Sequence, residues 1–264
     1  MIKPKQLLML WITSLLISLP ALSNAGEENT TQFQRSLNLA AADWCPYTCS
    51  TPNKPGFITE ALIQLLKINN IALKVTVLPW SRAIRMARQG SYDGLLTAIV
   101  SEAPHFQFTK RPSGHYQICF YTHRSSTFEY SDRSSLSGIK LGGIRDYGYG
   151  EPIDSILKEP RGDEHVYLIS NSAPLSSLVG MTELKRMDTF VEDSMVVAEY
   201  LTNNPNANIK KAGCLESIPF YTALSPKLQH KSALLQELDK LLQSPMHLLL
   251  VQEARARYGL IEKH

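Results

Sequence analysis

Apolar positions along this chain alternate between a period of two and a period near 3.6, and the switches mark out strands followed by helices. Leu37 to Ala42 reads as a first strand that ends in the loop Asp43-Trp44-Cys45-Pro46-Tyr47. Ile58, Ala61, Leu62, Leu65 and Leu66 then stripe one face of a helix beginning near Phe57. Ala72 to Leu78 is a β-rich run. A second helix opens at Trp80, with Ala83, Ile84 and Ala87 on its dry side and Arg82, Arg85 and Arg88 on its wet side. Gly90 stops it, as glycine does just past a last helical turn. Tyr92-Asp93-Gly94 turns the chain into the apolar run Leu95 to Val100, short enough for a buried parallel strand. Thr97 and Ala98 fall near the end of that strand, where open α/β sheets hold ligands.

The pattern then restarts. Tyr116 to Tyr121 is a strand, and the Ser-rich stretch from Ser125 to Ser137 reads as a loop around a change of lobe. Ile139 to Ile144 is a strand, Arg145 to Gly150 a Gly/Tyr loop, and Glu151 to Lys158 a helix with Pro152 in its first turn. Strand His165 to Ile169, helical pattern Ala173 to Met187, and short strand Thr189 to Val191 follow, with Arg161-Gly162-Asp163 a plain turn. Ser194 is placed to cap a helix reaching Leu201. Ile209 to Ala212 and Ile218 to Ala223 read as two separate strands. Two helices close the chain: one striped by Leu234, Leu235, Leu238, Leu241 and Leu242, the other from Met246 to Tyr258. With no strands of their own, these helices are expected to cover the first half.

With 264 residues, 44% hydrophobic and 19% charged, the composition is globular and long enough for two lobes. The formal charge of +3 includes Lys3 and Lys5, which begin a segment that reads as a secretory signal. An apolar stretch from Leu7 to Leu19 follows them, then Pro20 and the small-x-small site Ser23-Asn24-Ala25. Cleavage after Ala25 (signal peptide 1–25) leaves a chain near +1, which argues against nucleic acid as the main partner. An uncleaved anchor is the alternative, although the stretch falls short of the ~20 apolar residues a spanning helix needs.

Export permits disulfides. The four cysteines, Cys45, Cys49, Cys119 and Cys214, allow three pairings. Cys45–Cys49 with Cys119–Cys214 is the simplest, and buried free thiols are the alternative. Gly-x-Ser-x-Gly, His-Glu-x-x-His and phosphate-loop motifs are absent, and the seven histidines have no ligand-like spacing. No metal, cofactor or catalytic residue is expected. A carboxylate such as Glu192 or Asp193 is the one candidate for enzymatic work.

Taken in order, several pieces resemble periplasmic solute-binding proteins of the amino-acid-binding type, extracellular solute-binding protein family 3. They are Asp43 with the aromatic-Pro loop, Gly56-Phe57, Pro79-Trp80, Gly90-x-Tyr92-Asp93-Gly94 and Phe108-Thr109-x-x-Pro112 in the first half. Gly142-Gly143-Ile144, Tyr149-Gly150-Glu151, Glu192-Asp193-Ser194, Phe220-Tyr221-Thr222-Ala223 and Tyr258-Gly259-Leu260 continue the series. The resemblance implies an α/β, two-lobed type II periplasmic binding fold: residues 36–112 and 220–264 in lobe 1, residues 113–219 in lobe 2, joined by hinge strands near Thr109–Tyr116 and Gly213–Tyr221. It implies a monomer in the periplasm that captures a solute by hinge closure and passes it to an ABC-type permease. A sensing module for a membrane receptor is the alternative, and a dehydratase-like enzyme on the same fold a more distant one. The ligand contacts it implies are Asp43, Trp44, Tyr47, Trp80, Thr97 and Ala98 from lobe 1, with Tyr147, Gly148, Tyr149 and Asp193 from lobe 2.

The chain departs from that family where it matters for the ligand. Members that bind amino acids carry a Ser/Thr-x-x-Arg-like element whose arginine clamps the α-carboxylate. Here the segment reads Ser101-Glu102-Ala103-Pro104-His105, with alanine at the arginine's place. Alanine replaces none of a guanidinium's paired donors. Asp43 and Asp193 facing one another across aromatic rings suit an amine or other cation instead. Arg145 with the helix start at Gly150 is a second-ranked anion site.

Overall fold

The computed structural model describes residues 35–51, 53–158 and 165–260. The expected signal segment and the Arg161-Gly162-Asp163 turn lie outside them. Among the described residues, no helix is long and apolar enough to cross a membrane.

The first half is built from β1 (Arg35–Ala41), α1 (Phe57–Ile68), β2 (Ile71–Val77), α2 (Trp80–Gln89), β3 (Gly94–Ala98) and β4 (Gln107–Phe108). β1 pairs in parallel with both β2 and β3, so its Leu37, Leu39, Ala40 and Ala41 are buried. The second half contains β5 (Gly114–His123), β6 (Leu141–Ile144), α3 (Ile153–Lys158), β7 (Val166–Ile169), α4 (Pro174–Glu183), β8 (Thr189–Asp193) and α5 (Ser194–Asn203). There β6 lies parallel between β7 and β8, and β8 runs antiparallel to β5. The chain ends with β9 (Ile209–Leu224), α6 (Lys231–Gln243) and α7 (Pro245–Arg257).

β9 belongs to both halves. Its residues 209–220 pair with β5, and Tyr221 to Leu224 pair with β3 and β4. The strand order is therefore β2-β1-β3-β9-β5-β8-β6-β7, with β4 beside the end of β9. The two separate strands expected over 209–223 are one strand of 16 residues. Gly213, Glu216, Ser217 and Pro219 break its apolar alternation because a strand passing between two halves has no single dry face. The Ser-rich stretch is not a change of lobe either: β5 before it and β6 after it belong to the same half, and it holds a short 3-10 turn at Arg133–Leu136. The crossing comes earlier. Asp239 of α6 accepts from the backbone N–H groups of Lys110 (2.6 Å) and Arg111 (3.0 Å), pinning the chain where it leaves the first half.

The Tyr92-Asp93-Gly94 element has a structural cause here. Asp93 accepts from the Asn38 backbone N–H at 2.7 Å and so fixes the entry of β3 beside β1. Gly94 then lets β9 approach: a Cβ on it would lie 2.1 Å from the Ala223 carbonyl oxygen. Gly94→Ala is expected to destabilise the protein by about 2 kcal/mol or more, seen as a lower urea midpoint. An unchanged midpoint would mean the two strands do not meet this closely. Of the closing helices, α7 packs on α1 and α6 on α7; Tyr258, just past α7, accepts from the Gly56 N–H at 2.7 Å and donates to Glu60 at 3.1 Å. Ser194 does not cap α5. Asp193 does, accepting from Met195 (2.8 Å) and Val196 (3.0 Å), and Ser194 is the first helical residue. The sulfurs pair as Cys45–Cys49 and Cys119–Cys214, leaving no free cysteine.

Candidate functional site

Strand ends β1, β3 and β8 and the loop after β6 converge on one cavity between the halves. Trp44, Trp80, Thr97, Ile99 and Glu102 line it from the first half, and Tyr116, Ile118, Tyr147, Gly148, Tyr149 and Glu192 from the second. It leaves about 30 Å³ to the centres of water molecules, room for one or two.

Hydrogen bonds between the halves hold them shut over it. Trp44 Nε1 donates to Glu192 Oε1 at 3.2 Å, and the Tyr47 hydroxyl to Asp193 Oδ2 at 3.2 Å. The Gly148 N–H donates to Glu102 Oε1 at 2.8 Å, and Ser101 to Asp154 at 3.2 Å. Ser81 donates to Asp146 at the rim. Gly148 is a glycine for a steric reason, since a Cβ there would lie 2.2 Å from Ile99 Cδ1 across the gap.

The expected site residues divide on this geometry. Trp44, Trp80, Thr97, Tyr147, Gly148 and Tyr149 are in the wall. Thr97 holds φ +63°, a left-handed conformation that costs a β-branched residue about 1–3 kcal/mol. Its hydroxyl is turned back to the Leu96 carbonyl at 2.6 Å. Tyr149 presents its ring only, because its hydroxyl accepts from the Ile144 N–H at 2.6 Å. Tyr47 stacks behind Trp44 with ring centroids 4.2 Å apart, and Ala98 is buried beside β9. Asp43 is exposed outside the cavity and accepts from the N–H (3.1 Å) and hydroxyl (2.7 Å) of Ser50. Asp193 is turned inward, where Tyr47, Gln117, Met195 and Val196 all donate to it. Arg145 lies at an outer depression with Asp43, and the short helix α3 starts only at Ile153.

The carboxyls in the wall are Glu192 and Glu102. Neighbouring strand residues point to opposite faces, so only one of Glu192 and Asp193 can face the cavity. Burial pushes Glu192 up to about 7, and the adjacent Asp193 adds to the rise, against the pull of its hydrogen bonds from the Asp193 N–H and Trp44. Burial likewise pushes Glu102 up to about 8, opposed by the backbone N–H groups of Ile99 and Gly148. The Trp80 indole N–H lies near enough to favour the ionised Glu102, yet makes no hydrogen bond of acceptable geometry. Burial raises the Tyr116, Tyr147 and Tyr149 hydroxyls further from ionisation. No arginine, lysine or histidine lines the cavity. Two carboxyls among five aromatic rings therefore favour a positive charge and oppose a negative one. Among the described residues, no group of three His, Cys, Asp or Glu stands ready for a metal.

No family model matches the chain, and neither does any curated protein sequence. Solved structures do match. An ancestral arginine-binding protein bound to glutamine superposes with TM-score 0.68 at 18% identity, over 86% of this chain and 98% of that one. A histidine kinase sensor domain with similarity to periplasmic binding proteins gives 0.70 at 16%, over 86% and 96%. An ABC uptake transporter substrate-binding protein from Streptococcus pneumoniae with bound histidine gives 0.67 at 14%, over 84% and 92%. The described chain thus has the two-lobed type II fold of periplasmic binding proteins, with mixed sheets flanked by helices and two through-running strands between them.

Proposed function

We propose that this is a periplasmic substrate-binding protein. It captures a small polar, amine-containing solute between lobe 1 (36–112 and 220–264) and lobe 2 (113–219), and as a monomer delivers it to an ABC-type importer in the inner membrane. The observation that carries this reading is the cavity between the halves, lined by Glu102, Glu192 and aromatic rings without a cationic side chain. Binding rather than catalysis is the reading, because the polar groups around the cavity mostly hold the protein to itself and none is paired as a nucleophile with its base. Two of the solved neighbours, an arginine-binding protein bound to glutamine and an ABC uptake substrate-binding protein with bound histidine, support a role in capture.

The test is mass spectrometry of whatever co-purifies with the protein, followed by calorimetry and recovery of the solute after long incubation. An amine recovered unchanged supports the proposal. A solute returned chemically altered, or no solute of any class that raises the melting temperature, sinks it. A sensing role for a membrane receptor is the second reading, favoured by the likeness to a histidine kinase sensor domain. Pull-down from detergent-solubilised membranes separates the two, by recovering a permease or a receptor.

A further inference from the structure

The cavity wall holds two polar atoms with opposite needs. Trp80 is 6% exposed, and its Nε1–H has no hydrogen-bond partner. A buried N–H without an acceptor is costly, and native proteins rarely leave one. Glu192 is 1% exposed. Its Oε1 takes the N–H of Asp193 (2.7 Å) and of Trp44 (3.2 Å), while its Oε2 accepts nothing among the described residues. Glu102 differs. Its Oε1 accepts from Gly148 and its Oε2 from Ile99, so both oxygens are engaged in tying the loop after β3 to the loop after β6. The Tyr147 hydroxyl likewise bonds to none of the described residues and, able to donate or accept, selects neither kind of ligand. One free acceptor, Glu192 Oε2, and one unpaired donor, the fully buried Trp80 Nε1–H, thus belong to side chains that line the same space, with Glu102 acting as the fastening between the halves.

We propose that the cavity selects a monocationic amine that also carries a neutral hydrogen-bond acceptor, the class of small amino alcohols and amino amides. The ammonium sits on Glu192 Oε2 and the acceptor takes the Trp80 Nε1–H, with the halves parted enough to widen a space that otherwise holds one or two waters. This rests on the solute-binding reading above and narrows it. A zwitterionic amino acid is rejected because its carboxylate would be buried beside the ionised Glu192 with no cation to pair it. A plain alkylamine satisfies Glu192 and leaves the indole N–H orphaned. A neutral amide does the reverse.

Calorimetry and thermal shift on the signal-free full chain at pH 7.5 test this with glycinamide, ethanolamine, ethylamine, acetamide and glycine. Glycinamide or ethanolamine is expected to bind about tenfold or more tighter than ethylamine, and far tighter than acetamide or glycine. Trp80→Phe keeps the ring and is expected to bring glycinamide and ethylamine within about twofold of each other. Glu192→Gln is expected to weaken the amines about a hundredfold. The ranking on the unaltered protein needs neither variant to fold. Glycine binding tightest, or ethylamine equal to glycinamide, overturns the inference and leaves solute binding intact. So does silence from all five probes while another class of solute co-purifies. Silence from every probe, with no solute of any class found, overturns both.

Discussion

Between pH 5 and pH 8 the unliganded protein is expected to lose roughly 2–3 kcal/mol of folding stability through Glu192 alone, and Glu192→Gln is expected to remove that loss. The cause is the buried position of this carboxyl at the end of β8, which pushes it up to about 7 from the ordinary carboxylate range. Between about 4.5 and about 7 the folded protein holds a proton that the unfolded chain has already released. The contribution is therefore complete below about 4.5, falls as pH rises through about 7, and is gone above it. Glu102 acts in the same direction through a higher window, so a residual slope remains in the variant. Urea denaturation at both pH values decides the matter: parallel pH dependences for the two proteins would show that Glu192 is not buried in the folded state. A bound cation should oppose the loss, since it favours the ionised carboxyl.

Removing the Cys119–Cys214 bond by a double serine substitution is expected to cost roughly 3–4 kcal/mol. Removing Cys45–Cys49 is expected to cost only about 2 kcal/mol. The difference follows from the chain each bond closes in the unfolded state, with sequence separations of 95 and 4. Denaturant midpoints of the two double variants, read without reductant, measure it. Equal losses would mean that loop closure does not govern either bond.

Much of this architecture could be read from the residue pattern, because the informative positions act locally. The stripe of Ile58, Ala61, Leu62, Leu65 and Leu66 is the buried side of α1, apart from the helix's other buried residues Phe57 and Thr59. Gly90 ends α2 with φ +89°, and Asp93-Gly94 sets β3 between β1 and β9. The parts that escaped the sequence depend on partners far along the chain. Glu102 sits in a short turn whose role appears only when Gly148, 46 residues later, arrives beside it. Glu192 and Asp193 are neighbours of like chemistry, and one residue of strand register decides which faces solute and which caps a helix. Trp80 was legible as an aromatic near the site. Its unsatisfied N–H was not, since only the surrounding packing shows that nothing answers it.

Cys119 and Cys214 are paired residues on β5 and β9, set between two register shifts inside the second half, on the two strands that lead toward the first. A covalent rung between them makes the pair a two-ply leaf spring. Neither ply can slip lengthwise past the other, so shear is suppressed and flexing about a shared crease remains. The gape of the molecule should then follow one angle, and reduction of the rung should add a sliding freedom that blurs it.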